Sequence, residues 1–100
     1  MDITGIKELV KEKKYLITQH GDKERQNDNL MIKELLESFA NGIIIEEYPD
    51  TERGESCLVA GFTNSGKPIH IVCGEVNDRI VIITVYIPSP PKFKNLYERG

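Results

Sequence analysis

The sequence predicts an α+β fold, with N-terminal helices followed by a four-stranded antiparallel sheet. Two observations carry this. Apolar residues recur at helical spacing as far as Asn41-Gly42, and beyond that point the period becomes strand-like, in runs rich in Ile, Val, Thr and aromatics. The turn signals between those runs, Pro49-Asp50, Asn64-Ser65-Gly66 and Asn77-Asp78, leave connections too short for a parallel return, so consecutive strands should pair as hairpins. With 100 residues, of which 39% are hydrophobic, the chain fits a single domain and excludes a two-domain or multi-cofactor enzyme. Its expected parts are a helical segment 1–41, a sheet 43–87 and a Pro-rich extended tail 88–100.

Ile3, Ile6, Leu9 and Val10, with Lys and Glu between them, predict a short amphipathic helix over the first dozen residues, capped by Asp2 or Thr4. A brief apolar run, Tyr15 to Ile17, ends at Thr18. The polar stretch Gln19 to Asn29, which contains His20 and Arg25, has no apolar period to assign. Ile32, Leu35, Leu36 and Phe39 predict a helix from about Asn29 to Ala40, capped by Asn27 or Asp28 and ended by left-handed residues at Asn41-Gly42. Strands follow at Ile43–Tyr48, Cys57–Thr63, Ile69–Glu75 and Ile80–Ile87. Three prolines in the stretch Pro88-Ser89-Pro90-Pro91 cannot donate ladder hydrogen bonds, so pairing should stop near Ile87. Phe93, Leu96 and Tyr97 in the tail are expected to dock on the sheet or on a partner.

Even-numbered hairpin loops would set His70 opposite Val85, Ile71 opposite Thr84, and Gly61 beside His70. One face would then hold Val59, Val72, Val81, Ile83 and Val85 around His70. The other would hold Leu58, Ala60, Phe62, Ile69, Ile71, Ile80 and Ile82 with Thr84 and Tyr86. Cys57 and Cys73 would fall on opposite faces, which argues against a bridge. An odd loop or a β-bulge would flip the downstream face and bring His70 to Thr84 and Tyr86. Both faces are apolar, so a partner protein or a second copy is expected to cover what two short helices cannot.

Thirteen Lys and Arg against sixteen Asp and Glu give a net charge of −3, which argues against binding nucleic acid or membrane by bulk charge. Residues 1–50 carry seven basic and eleven acidic groups and residues 51–100 six and five, so the second half is the better surface for an anion. No apolar run is long enough to span a membrane and no signal peptide is evident, so a cytoplasmic location is expected.

His20, Asp22 and Glu24 lie close together, but no CxxC, HExxH or paired-His spacing brings three ligands to one point, so no metal or other cofactor is expected. Cys57 has no helix N-terminus or cation beside it to activate a thiolate, and Asn64-Ser65-Gly66-Lys67 is too short to cradle a phosphate. What remains suits metal-independent RNA cleavage, which needs a His to move a proton, a cation to hold the phosphate, and hydroxyls to position it. His20, Arg25, His70, Thr84 and Tyr86 are of those types. The competing reading makes His70 a hydrogen-bonded core residue and Thr84 and Tyr86 ordinary strand formers.

The succession YLITQH at Tyr15–His20, NGIIIEEYP at Asn41–Pro49, then SCLVAGF, GKPIHIV and IITVYIPSP resembles a family of small prokaryotic domains of unknown function. That family is often encoded beside zinc-finger antitoxins of the MqsA (YgiT) type and is grouped with the RelE and MqsR ribonuclease toxins of barnase-like fold. The resemblance runs from residue 15 to about residue 90. It implies a toxin that cleaves RNA by attack of the ribose 2′-hydroxyl, paired with a zinc-finger antitoxin. His20, Arg25, His70, Thr84 and Tyr86 fall on the family's recurrent polar positions. In the toxin reading His20 or His70 would be the general acid or base and Arg25 the phosphate clamp, while Lys92 and Lys94, in the tail beyond the resemblance, would add electrostatic grip. The alternative is a non-catalytic module that binds a protein through an exposed apolar sheet face.

Overall fold

A computed structural model describes residues 1–51, 54–89 and 97. In chain order the described elements are helix α1 (Ile3–Lys11), strand β1 (Tyr15–Ile17), helices α2 (Gln19–Asn27) and α3 (Ile32–Ala40), and strands β2 (Ile43–Thr51), β3 (Gly54–Phe62), β4 (Pro68–Val76) and β5 (Arg79–Tyr86). The α+β reading holds, with one strand and one helix more than expected. The sheet order is β1-β5-β4-β3-β2: three consecutive hairpins, with β1 added in parallel beside β5. Among the described residues no helix is long and apolar enough to cross a membrane.

Asp2 caps α1, accepting the Thr4 and Gly5 N–H groups. The helix ends with Lys13 in the left-handed region (φ 64°), its N–H on the Val10 carbonyl and the Lys14 N–H on Leu9. Glycine is the usual occupant of that position, where any side chain is strained by about 1–2 kcal/mol. Tyr15 to Ile17 then pair with Ile80 to Ile82. So short a strand leaves no period to read.

The polar stretch that follows is α2. Thr18 caps it by accepting the Gly21 N–H at 3.0 Å, while its own hydroxyl donates to the Ile83 carbonyl at 3.2 Å. Gly21 is the buried residue of α2, and a Cβ there would lie 3.1 Å from the Ile82 carbonyl oxygen. The helix thus docks through backbone proximity and polar bonds rather than through an apolar stripe.

Because α2 takes up Asn27 and ends at Asp28, neither residue caps the next helix as expected. The α3 cap position is Met31, whose N–H donates to Glu34 Oε1 at 2.9 Å. At its other end α3 does stop at Asn41-Gly42, but Asn41 is not left-handed (φ −109°). Gly42 is required instead by close approach: a Cβ would stand 2.7 Å from Val59 Cγ1 and 2.8 Å from the Ser38 carbonyl. The Asn41 side chain acts as a further piece of strand, accepting the Phe62 N–H at 2.8 Å and donating to the Phe62 carbonyl at 2.7 Å.

Glu34 also ties α3 to the β3–β4 loop through Lys67 Nζ, 3.1 Å away. The Met31 N–H bond first, and then Lys67, hold its carboxyl below the ordinary value of 4.5. A carboxyl depressed by folding stabilises above its unfolded value and loses that contribution as pH falls through the folded one. Thermal melts should therefore show the parent losing stability more steeply than Glu34→Gln as pH drops below about 4.5. Parallel curves would remove Glu34 from the acid response.

Both expected registers shift by one residue at β3–β4 and in the outer half of β4–β5. The β3–β4 loop is odd, Thr63 to Lys67, so Ala60 rather than Gly61 faces His70, and Cys57 faces Cys73. At the β4–β5 turn Asn77 and Asp78 are both left-handed (φ 51° and 59°), and Val76 pairs with Arg79 as an even loop requires. A bulge at Ile83 then follows, so that Cys73 faces Ile82 but Val72 faces Thr84, Ile71 faces Val85, and His70 faces Tyr86 rather than Val85.

These shifts re-sort the faces. Cys57, Val59, Ile69, Ile71, Cys73, Ile80, Ile82 and Val85 form the core with Ile6, Val10, Leu30, Leu35 and Phe39 from the helical segment. Val59 and Val85 are thus not beside His70. The opposite face carries Leu58, Ala60, His70, Val72, Thr84 and Tyr86. At its centre Leu58, Ala60 and His70 are fully buried.

Candidate functional site

The bulge in β5 turns Thr84 and Tyr86 to the side of His70, which the expected even register would have forbidden. The Tyr86 hydroxyl lies 3.2 Å from His70 Nδ1, and the two rings meet edge to face with centroids 5.2 Å apart. His70 is fully buried, while Thr84 and Tyr86 are half-buried. An imidazole so placed can orient a neighbouring hydroxyl.

His20 approaches the same stretch of β5 from α2. Its side chain is exposed, and its Nε2 lies 3.2 Å from Glu24 Oε1, one helical turn further on. The same carboxylate oxygen accepts the Val85 N–H at 3.0 Å. Val85 stands between Thr84 and Tyr86, so one carboxylate ties the exposed imidazole to the strand that carries both hydroxyls. Asp28 continues the pattern by accepting the Ile87 N–H at 3.3 Å. The sequence offers Glu24 only as part of the His20, Asp22 and Glu24 cluster, with nothing to show that it meets the Val85 backbone. Its position four residues after His20 was the available signal for their pairing alone.

Arg25 is an internal brace. Its Nη2 and Nε hold Asp22 Oδ1 at 2.7 and 2.9 Å, and Nη1 donates to the Leu30 carbonyl at 3.0 Å, across the turn between α2 and α3. Lys92 and Lys94 lie outside the described residues, as do Phe93 and Leu96; Tyr97 is half-exposed. Among the described residues no three His, Cys, Asp or Glu side chains gather closely enough to hold a metal ion.

Cys57 and Cys73 are free thiols on one face, directly opposite each other with sulfurs 4.0 Å apart, contrary to the opposite faces expected. Both are fully buried. The hydrogen bond with Cys57, reinforced by burial, pushes the Cys73 thiol up, away from the thiolate that a nucleophile needs. A cleft of about 520 Å³ between α1 and α3 and another of about 270 Å³ near Ser56, Gly74 and Val81 are lined by none of the expected site residues.

The surviving arrangement is one exposed His–Glu pair and one buried His–Tyr pair on either side of the last residues of β5. Compared with known proteins, the chain finds no match among curated proteins and none among solved structures. A family model does match, over residues 17–87, from the end of β1 to just past β5, and so spans all of the His20, His70, Thr84 and Tyr86 arrangement. The chain belongs to that family, described as a domain of unknown function, DUF4258.

Proposed function

We propose that the chain cleaves RNA without a metal ion, as the toxin of a pair whose antitoxin is a zinc-finger protein. The observation that supports this best is the convergence at β5. Residues singled out by their chemistry and by resemblance lie far apart in sequence, yet the bulge brings Thr84 and Tyr86 to His70, and Glu24 binds His20 to the Val85 backbone.

In this reading the exposed His20 takes the proton of a ribose 2′-hydroxyl as that oxygen bonds to the adjacent phosphorus. The bond from phosphorus to the 5′-oxygen breaks as that oxygen takes a proton from a water molecule, and the protonated His20 returns its proton to the hydroxide left behind. The products are a 2′,3′-cyclic phosphate and a 5′-hydroxyl. Tyr86 contacts the phosphate, with Thr84 beside it; His70 is a positioning residue that orients the Tyr86 hydroxyl. Arg25 contributes as phosphate clamp only by exchanging Asp22 for the substrate.

The test is incubation of the folded chain with single-stranded RNA in the presence of a chelator. Cyclic-phosphate ends are expected, with a roughly hundredfold slower rate for His20→Ala and slow cleavage by a fully folded Tyr86→Phe. Intact RNA, together with normal growth of cells expressing the chain without an antitoxin, would sink the proposal. It would favour a non-catalytic chain in which His70 is a hydrogen-bonded core residue, as its complete burial supports.

A further inference from the structure

We infer that the cleft between α1 and α3 is a docking groove for an acidic amphipathic helix of a partner protein. The groove is lined by Val10, Leu36, Phe39 and Ala40 and rimmed by Lys7, Lys11 and Lys13, and it encloses about 520 Å³. Its walls are α1 and α3, and a third helix can pack its apolar face against such a pair.

Charge settles the kind of occupant. In a chain of net charge −3, three lysines crowd one apolar cleft, and none of them makes an ion pair with the described carboxylates. Lys7 and Lys11 stand one helical turn apart, about 6 Å along α1. That spacing matches Asp or Glu one turn apart on a helix lying in the groove, flanking the apolar stripe that covers Leu36 and Phe39. A fatty acid would offer a single carboxylate to three ammonium groups. A nucleic-acid backbone would match the charge and leave the aliphatic floor without a counterpart.

Lys13 adds an independent sign. It holds a left-handed conformation at the end of α1, where glycine would be unstrained, and that conformation places a third cation on the rim. The inference does not depend on RNA cleavage, and its test needs no nuclease activity.

The full chain is used to select from a display library of helices of about 15 residues, with Leu at i, i+3 and i+7 and randomised flanking positions. The expected clones carry Asp and Glu at the flanks. Their binding weakens with added salt and falls roughly tenfold or more for the Lys7→Glu, Lys11→Glu double variant. Lys13→Gly should melt no lower than the parent while binding the same clones more weakly, which separates lost charge from lost fold. Enrichment of basic or neutral flanks, or binding indifferent to the double charge reversal, would overturn the inference. So would saturable binding of dodecanoate in the cleft with no helix selected, or a dimer of the chain itself that Lys7→Glu dissociates.

Discussion

Gly61→Ala should destabilise the protein by about 3 kcal/mol, enough to shift a urea midpoint by more than a molar unit or to abolish folding. The reason is backbone geometry. Helix α3 crosses β3 so closely that a Cβ on Gly61 would collide with the Ser38 carbonyl oxygen and crowd Asn41 Oδ1 at 3.0 Å. A flexible side chain could swing aside, but a helical carbonyl cannot move alone. Relief therefore lifts α3, stretches the Asn41 bonds to Phe62 and opens the packing of Leu35 and Phe39. Gly5→Ala is the matched control, because its Cβ would meet only Asp2 Oδ2, at an ordinary 3.9 Å. Equal midpoints for Gly61→Ala and the parent would show that α3 does not sit this close to the sheet.

His70→Ala should cost about 3 kcal/mol, since it empties a fully buried site and removes the ring from the Tyr86 hydroxyl. Tyr86→Phe keeps the aromatic packing and should cost only about 1 kcal/mol. Denaturant melts give these two numbers, and RNA cleavage by the same proteins gives two more. If His70 positions Tyr86, then His70→Gln, which stays folded, should slow cleavage to the level of Tyr86→Phe, and the double variant should be no slower than either. A His70→Gln protein that melts far below the parent yet cleaves at the parent rate would make His70 a core residue and nothing else.

The sequence made the periodic parts of the fold legible. Ile6 and Val10 in α1 and Leu35 and Phe39 in α3 face the core at the period their composition announces, and the β-branched runs mark β3, β4 and β5, each of which supplies alternate residues to it. What could not be read is whatever is held by polar bonds to backbone. Helix α2 has no apolar stripe because Thr18, Glu24 and Asp28 fasten it to the outer edge of β5. Its docking partner must be known before Glu24 looks different from any solvated glutamate. The candidate site was legible as residue types and illegible as a place. One unpaired residue at Ile83 and one odd loop decide which side chains share a face, and neither leaves a mark in hydrophobic pattern. The same parity error hid the meeting of Cys57 and Cys73.

The pairing of Tyr15 with Ile80 imposes an order of assembly. Hairpins β2–β3, β3–β4 and β4–β5 join neighbours in sequence and close short loops, whereas β1 must find a strand some sixty-five residues later in the chain. During translation the first helix and β1 emerge early and have no sheet to dock on until β5 has left the ribosome. Until then the apolar stripe of α1, Ile6 and Val10, stays open to water and to other chains. The interval between synthesis of β1 and completion of β5 is thus the period in which the nascent chain most needs a chaperone.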